Sequence, residues 1–131
     1  MNWEYLQNFI SLDGKVAIVT GASRPKGIGF AAVRALALLG ANVVISDLGG
    51  FVKGMSDECY ALGSTELLDN AVAEIKRLGG AAIAVSADLC KKEDREHLID
   101  AAIGNFGRID ILINNAASMF NTTVMQSDTH A

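Results

Sequence analysis

Proline is almost absent from this chain, with Pro25 the only one in 131 residues, and aromatic residues make up only 6%. Half of the residues are nevertheless hydrophobic, which is not the composition of a disordered segment. No basic block occurs: the densest spot, Lys91-Lys92, is followed at once by Glu93 and Asp94, and the net charge is −4. Non-specific nucleic-acid binding needs a positive field, so a nucleic-acid partner is not expected. No apolar run approaches the roughly 20 residues of a membrane span, so a membrane partner is not expected either. The two cysteines, Cys59 and Cys90, have no CxxC spacing, and His97 stands alone near Cys90. That excludes the usual zinc patterns and reads as free thiols of a reducing compartment. The start, Met1-Asn2-Trp3-Glu4-Tyr5-Leu6, has an early acid and no charged-then-apolar leader pattern. A cytoplasmic protein is the expectation. The length allows one domain, 1–131, with a core.

What is present is an alternation of two periods. Apolar runs at Val16–Thr20, Asn42–Ser46, Ala82–Val85 and Ile109–Ile113 read as buried strands. Between them lie helical patterns. Residues 28–39 are apolar except for Arg34 and are closed by Gly40. A helix capped by Ser64 or Thr65 presents Leu68, Ala71, Val72 and Ile75 on one face. A third helix, from about Glu93, presents Leu98, Ala102, Ile103 and Phe106. Residues 47–64 read as a long loop, and 114–131 as a poorly patterned tail. Strands alternating with helices predict right-handed crossovers and a parallel sheet. The fold class is therefore α/β, a Rossmann-type doubly wound sheet of strand order 3-2-1-4, with a ligand crevice between the first and fourth strands. Only the first half of such a fold plus one strand is represented, so the C-terminal half is absent.

The chemistry concentrates at the carboxyl ends of these strands. Lys15-Val-Ala-Ile-Val-Thr-Gly-Ala-Ser-Arg-Pro-Lys-Gly-Ile-Gly29 is a strand, a glycine-rich turn and a helix start. Gly21 permits a sharp exit, and Gly27 and Gly29 let bare backbone approach a pyrophosphate or pack on the strand. The plainer alternative is an ordinary turn that happens to be rich in glycine. Asp47 closes the second strand, eighteen residues after Gly29. A carboxylate there accepts ribose hydroxyls and repels a 2′-phosphate, favouring NAD over NADP; the competing role is a helix cap. Arg24 lies in the turn and could contact a 2′-phosphate. With Asp47 opposing it, Arg24 reads as solvated or as facing the pyrophosphate. Asp88, after the third strand, is either an acceptor for the adenine amino group or a loop cap. Asn114-Asn115-Ala116-Ala117 ends the fourth strand with two amides suited to tying backbone together, and then with small residues that leave room for a ribose. His97 and His130 suggest no site.

Taken together, Thr20-Gly-Ala-Ser-Arg-(Pro-Lys)-Gly-Ile-Gly29, Asp47, Asp88 and Asn114-Asn-Ala-Ala117 resemble the short-chain dehydrogenase/reductase superfamily, classical type. The flanking Leu12-Asp-Gly-Lys-Val-Ala-Ile-Val-Thr20 and Phe106-Gly-Arg-Ile-Asp-Ile-Leu-Ile-Asn114 match the same family, so the resemblance runs over about residues 11–118. It implies binding of NAD(H) or NADP(H) and hydride transfer between an alcohol and a ketone. By position it assigns Ser23 and Ile28 to the cofactor phosphates or ribose. It assigns Asp88 and Leu89 to the adenine, and Asn114 and Ala116 to the ribose side. The Asp47-Leu-Gly-Gly50 segment also resembles the hydroxyacyl dehydrogenase portion of multifunctional fatty-acid oxidation enzymes.

Four departures qualify the resemblance. Five residues, not the family's three, separate Gly21 from Gly27. Asn-Asn-Ala-Ala replaces Asn-Asn-Ala-Gly, and Cys90 stands where the family often has a capping threonine. The family's catalytic Asn, Ser and Tyr-x-x-x-Lys lie beyond the Asn114 motif, and neither Tyr5 nor Tyr60 has a lysine four residues on. No catalytic residue is therefore assigned. The expected function is the truncated cofactor-binding portion of an NAD-dependent dehydrogenase. The rivals are a non-catalytic dinucleotide-binding or interaction module that works at this length, and a structural remnant that binds nothing. The incomplete sheet predicts an uncovered edge and face, and self-association through them. In the tail only Met119, Phe120, Val124 and Met125 are large and apolar.

Overall fold

The computed structural model describes residues 3–48 and 65–117. Ser64, Cys59, Tyr60, the Gly49-Gly50 pair and the tail 118–131 lie outside the described residues. The elements run α1 (Trp3–Gln7), β1 (Val16–Thr20), α2 (Ile28–Leu38), β2 (Asn42–Asp47), α3 (Thr65–Arg77), β3 (Ala81–Ser86), α4 (Lys92–Phe106) and β4 (Ile111–Ile113). The four strands form one parallel sheet in the order β3-β2-β1-β4, as expected from the alternating pattern.

Side chains alternate across this sheet and sort into two layers. Ala17, Val19, Val43, Ile45 and Ala82 face α2 and α3 and pack against Phe30, Val33, Leu68, Ala71 and Ile75. Ile18, Val44 and Val85 face the other way, onto Leu98 and Ala102 of α4. The helices divide in this manner because the chain moves outward from β1 to β3, then returns past β1 to β4. A right-handed crossover on the return leg lands on the opposite face. β1 is buried along its whole length. Both α2 and α3 end in paired backbone bonds that satisfy their last carbonyls: Ala41 N to Leu36 O (3.0 Å) and Gly40 N to Ala37 O (3.0 Å), then Gly80 N to Ile75 O (2.9 Å) and Gly79 N to Lys76 O (3.0 Å).

Two elements differ from the sequence expectation. β4 begins at Ile111 rather than Ile109. Its entry is held by one backbone and one side-chain bond: Asp110 N donates to Val16 O (2.9 Å), while Val16 N donates to Asp110 Oδ2 (2.9 Å). Arg108 grips the same carboxylate at 2.6 Å, and this contact, with the Val16 amide second, holds the Asp110 carboxyl below its ordinary range. The other difference is α1, which no periodicity announced. A five-residue helix has too few turns to show one. It is tied down by contacts distant in sequence, with the Gln7 side-chain amide donating to Leu38 O and Leu12 N donating to Leu39 O (2.8 Å).

Candidate functional site at the carboxyl end of the sheet

β1, β2 and β4 all end at one rim, and the turn after β1 passes between the other two. Gly21 sits there with φ +64°. A Cβ at this position would lie 2.7 Å from the Ala116 Cα, so backbone hand and space both demand glycine. A Cβ on Gly29 would meet the Asn115 amide nitrogen at 2.5 Å and the Ala22 Cα at 3.0 Å. These two glycines are thus explained by the chain's own packing. Gly27 differs. Its φ is −83°, and a Cβ would meet only the Arg24 carbonyl oxygen at 3.3 Å and the Arg24 Cβ at 3.4 Å, contacts that a small shift would relieve.

Residues 24–27 form a turn closed by Gly27 N to Arg24 O at 3.0 Å, with Pro25 at its favoured second position. The two extra residues, Pro25 and Lys26, are absorbed here at the surface, and the helix start is intact. The first helical bond runs from Ala31 N to Gly27 O (3.2 Å). The amides of Ile28, Gly29 and Phe30 precede it and have no intrahelical acceptor. Gly27 supplies no side-chain cap, and no acid lies in the first turn of α2. With Ile28 83% exposed, this helix end is an open, positively polarised place for an anion.

Asp47 lies across the turn. Its Oδ2 accepts both Ser23 N (3.1 Å) and Ser23 Oγ (2.5 Å), and Oδ1 accepts Leu48 N (2.8 Å). A carboxylate offers about four acceptor positions, so with the bonds among the described residues one remains, on Oδ1. The Ser23 hydroxyl proton is therefore donated to Asp47, and Ser23 is only 1% exposed. The Ser46 hydroxyl, at the same end of β2, is also 1% exposed and has no hydrogen-bond partner among the described residues. A buried orphan hydroxyl is costly, and a site that admits water or a polar ligand relieves it.

The β4 side of the rim is built on Asn115, one of the two amides read as suited to tying backbone together, and on Thr20, to which the sequence analysis gave no role. Thr20 Oγ1 accepts Asn115 N and Ala116 N, each at 3.1 Å. The Asn115 amide nitrogen donates to Thr20 O (3.2 Å) and Gly21 O (3.0 Å). Asn115 is the tie between β4 and the glycine turn, and Asn114 and Ala116 are left exposed at the rim. The signal for Thr20 was available: a hydroxyl-bearing residue closing an otherwise apolar strand directly before the turn. Asp88 serves locally, with its Oδ1 accepting Cys90 N at 3.0 Å. Asp94, in the first turn of α4, accepts Asp88 N at 2.8 Å and so ties the loop to the helix start, which itself has no side-chain cap. Leu89 packs against the α4-side core, and its carbonyl accepts from Arg95 (2.7 Å). Among the described residues there is no group of three or more potential metal ligands, and no helix is long and apolar enough to cross a membrane. Tyr5 lies on α1, at the opposite end of the sheet from Asp47.

Known proteins share this arrangement. An uncharacterized oxidoreductase of Methylorubrum extorquens is 44% identical over 105 residues, covering 80% of this chain and 36% of its own length. A 3-oxoacyl-[acyl-carrier-protein] reductase of Synechocystis is 40% identical over 116 residues, with 88% and 40% covered. The peroxisomal multifunctional enzyme type 2 of Mus musculus is 41% identical over 107 residues, covering 82% of this chain and 13% of that protein. Among solved structures, a hydroxysteroid dehydrogenase from Escherichia coli superposes with TM-score 0.68 at 34% identity, covering 88% of this chain and 43% of the other. The L-sorbose reductase of Gluconobacter frateurii, complexed with NADPH and L-sorbose, gives TM-score 0.73 at 27% identity, with 92% and 40% covered. The chain thus spans less than half the length of each of these relatives. The short-chain dehydrogenase family model matches residues 15–130. That match takes in the whole sheet, the glycine turn and the Asn115 tie, and with it the chain belongs to the short-chain dehydrogenase family, whose cofactors are nicotinamide dinucleotides.

Proposed function

We propose that this chain is the cofactor-binding portion of an NAD-dependent alcohol/ketone oxidoreductase. The observation that carries the reading is the Asp47 carboxylate, fixed by two donors from Ser23 at the rim beside the open amino end of α2. In this reading the pyrophosphate lies over the Ile28, Gly29 and Phe30 amides, with Gly27 leaving room for its approach. The remaining acceptor position on Asp47 Oδ1 takes a ribose hydroxyl, and the negative charge disfavours a 2′-phosphate. Ser46, Asp88 and Leu89 border the adenine end, and Asn114 and Ala116 the second ribose. The bound nicotinamide would supply or accept the hydride. The residues present bind and orient; none supplies the proton transfer, because the sequence holds no Tyr-x-x-x-Lys.

Calorimetric titration tests the reading. NAD(H) is expected to bind at least about tenfold more tightly than NADP(H), a difference of about 1.4 kcal/mol. Asp47→Asn should narrow the gap. Tighter binding of NADP(H) by the unchanged chain would overturn the Asp47 assignment. The absent tyrosine–lysine pair supports a second reading, a dinucleotide-binding module without catalysis of its own. Under either reading the chain alone should not oxidise secondary alcohols, a loss expected to exceed the ~10²–10⁴-fold that general acid–base catalysis contributes.

A further inference from the structure

The end of β2 carries polar side chains on both faces of the sheet. Successive side chains of a strand point to opposite faces. Asp47 reaches over the α2 face to Ser23, while Ser46 lies on the α4 face with Val44. In the sheet register Ser46 stands between Thr20 of β1 and Val85 of β3. Its carbonyl is in use, accepting Ala22 N of the glycine turn at 3.1 Å. Its hydroxyl is the one buried side-chain polar atom among the described residues that lacks a hydrogen-bond partner.

The surroundings explain why the hydroxyl is unpaired. The neighbouring hydroxyl, Thr20 Oγ1, has both acceptor positions filled by Asn115 N and Ala116 N, each at 3.1 Å, and its proton is directed to Ile113 O at 3.4 Å. It can neither accept from Ser46 nor donate to it. The layer beneath is apolar, made of Val85, Ala87, Leu98 and Ala102 among others. Polar surroundings begin only at the rim, where β1, β2 and β4 end. A buried polar atom left unpaired raises the free energy of the state that leaves it so, and a state that pairs it gains by comparison.

We infer that Ser46 is a binding residue for the adenosine end of the dinucleotide, its hydroxyl paired in the complex and unpaired in the free chain. This rests on the dinucleotide reading given above. Ser46 is 1% exposed, so the ligand reaches it by displacing the edge of the rim, either directly or with one water between them. By both routes the bond forms only with ligand bound. Asp47 and Ser46 then hold the adenosine from the two faces of one strand, Asp47 by charge and Ser46 by a neutral hydrogen bond. The free chain carries the cost of the unpaired hydroxyl and the complex does not. Stability is thus given up in the free chain and recovered as affinity.

The test reads two changes of opposite sign in the full chain. Ser46→Ala should raise the Tm of the ligand-free chain by about 5 °C and weaken NAD(H) binding about tenfold in calorimetric titration. ADP-ribose, which keeps the adenosine end, should lose the same factor. Inorganic pyrophosphate, which engages only the α2 amides, should lose none. Ser46→Cys fills the same space with a poor hydrogen-bonding group and should bind as weakly as Ser46→Ala. Binding restored in Ser46→Cys would assign the effect to packing and overturn the inference. A Tm of Ser46→Ala no higher than that of the unchanged chain would show the hydroxyl already paired without ligand, and would overturn it too. Equal binding of NAD(H) and ADP-ribose by Ser46→Ala and the unchanged chain would remove Ser46 alone and leave the dinucleotide reading standing. Failure of the unchanged chain to bind either ligand would remove both.

Discussion

Under α2 and α3, Ala17, Val19, Val43 and Ile45 are completely covered, and two helices meet over them. On the other face α4 is the one helix among the described residues that covers Ile18 and Val44. Leu112, in the next strand, is 53% exposed, and Ile99 and Ile103 of α4 are exposed as well. The strand sequences do not foreshadow this difference, since Ile111-Leu112-Ile113 is as apolar as Val43-Val44-Ile45. Parallel strands carry apolar residues on both faces because both are normally roofed by crossover helices. Which faces are roofed depends on how many crossovers the described chain makes in each direction. Two run outward over one face and one returns over the other. Apolar sequence therefore reports the demand for cover, and topology reports whether it is met.

The largest expected effect lies on the doubly roofed face. Ile45→Ala should destabilise by about 2–5 kcal/mol, a large part of the 5–15 kcal/mol that a domain usually has. Leu98→Ala, on the inner side of the single helix, should cost less, about 2 kcal/mol, because among the described residues nothing packs behind α4 and it can settle into the gap. Denaturant midpoints for the two variants make the comparison. Equal losses would mean that the faces are packed alike.

The uncovered strand gives the next test. Leu112→Ser should change stability by no more than about 0.5 kcal/mol, yet lower any self-association through this face and edge, read by light scattering across a concentration series. Unchanged association would move the contact elsewhere. The smallest effect concerns the attachment of β4. Contact with Arg108 and the Val16 amide holds the Asp110 carboxyl below its ordinary value. The folded state therefore gains stability from Asp110 at pH values above the unfolded pKa, and this is lost as pH falls through the lowered folded value. The Tm gap between the unchanged chain and Asp110→Asn should be constant near neutrality and shrink in acid. A gap that persists at low pH would show that the contact does not depend on the ionised form.

Much of this was legible in the residues. The four strands, three of the helices and their order follow from hydrophobic period and from glycine at the helix ends, all of which are local properties. The Gly21–Gly29 turn was legible for the same reason, since a strand, glycines and an apolar helix lie in one stretch. Ser23 is a different case. Resemblance placed it toward a ligand; the bond from its hydroxyl to Asp47, twenty-four residues away, is what no local pattern announced. Thr20 and Asn115 are separated by ninety-five residues and meet only because β1 and β4 are neighbours. α1 was invisible because its stability comes from Gln7 reaching the end of α2, not from any pattern within it.

By itself the sequence determined what is short-range: strand and helix periods, the forced glycine at the end of β1, and an acid at the end of β2. The parallel sheet order follows from these through the handedness of crossovers, which is a property of L-residues. Tertiary structure alone decided the pairings: Ser23 with Asp47, Asn115 with Thr20, Asp110 with Val16, and Leu112 left bare. Each joins residues whose distance apart is set by the packing of whole elements, and no local preference encodes that distance.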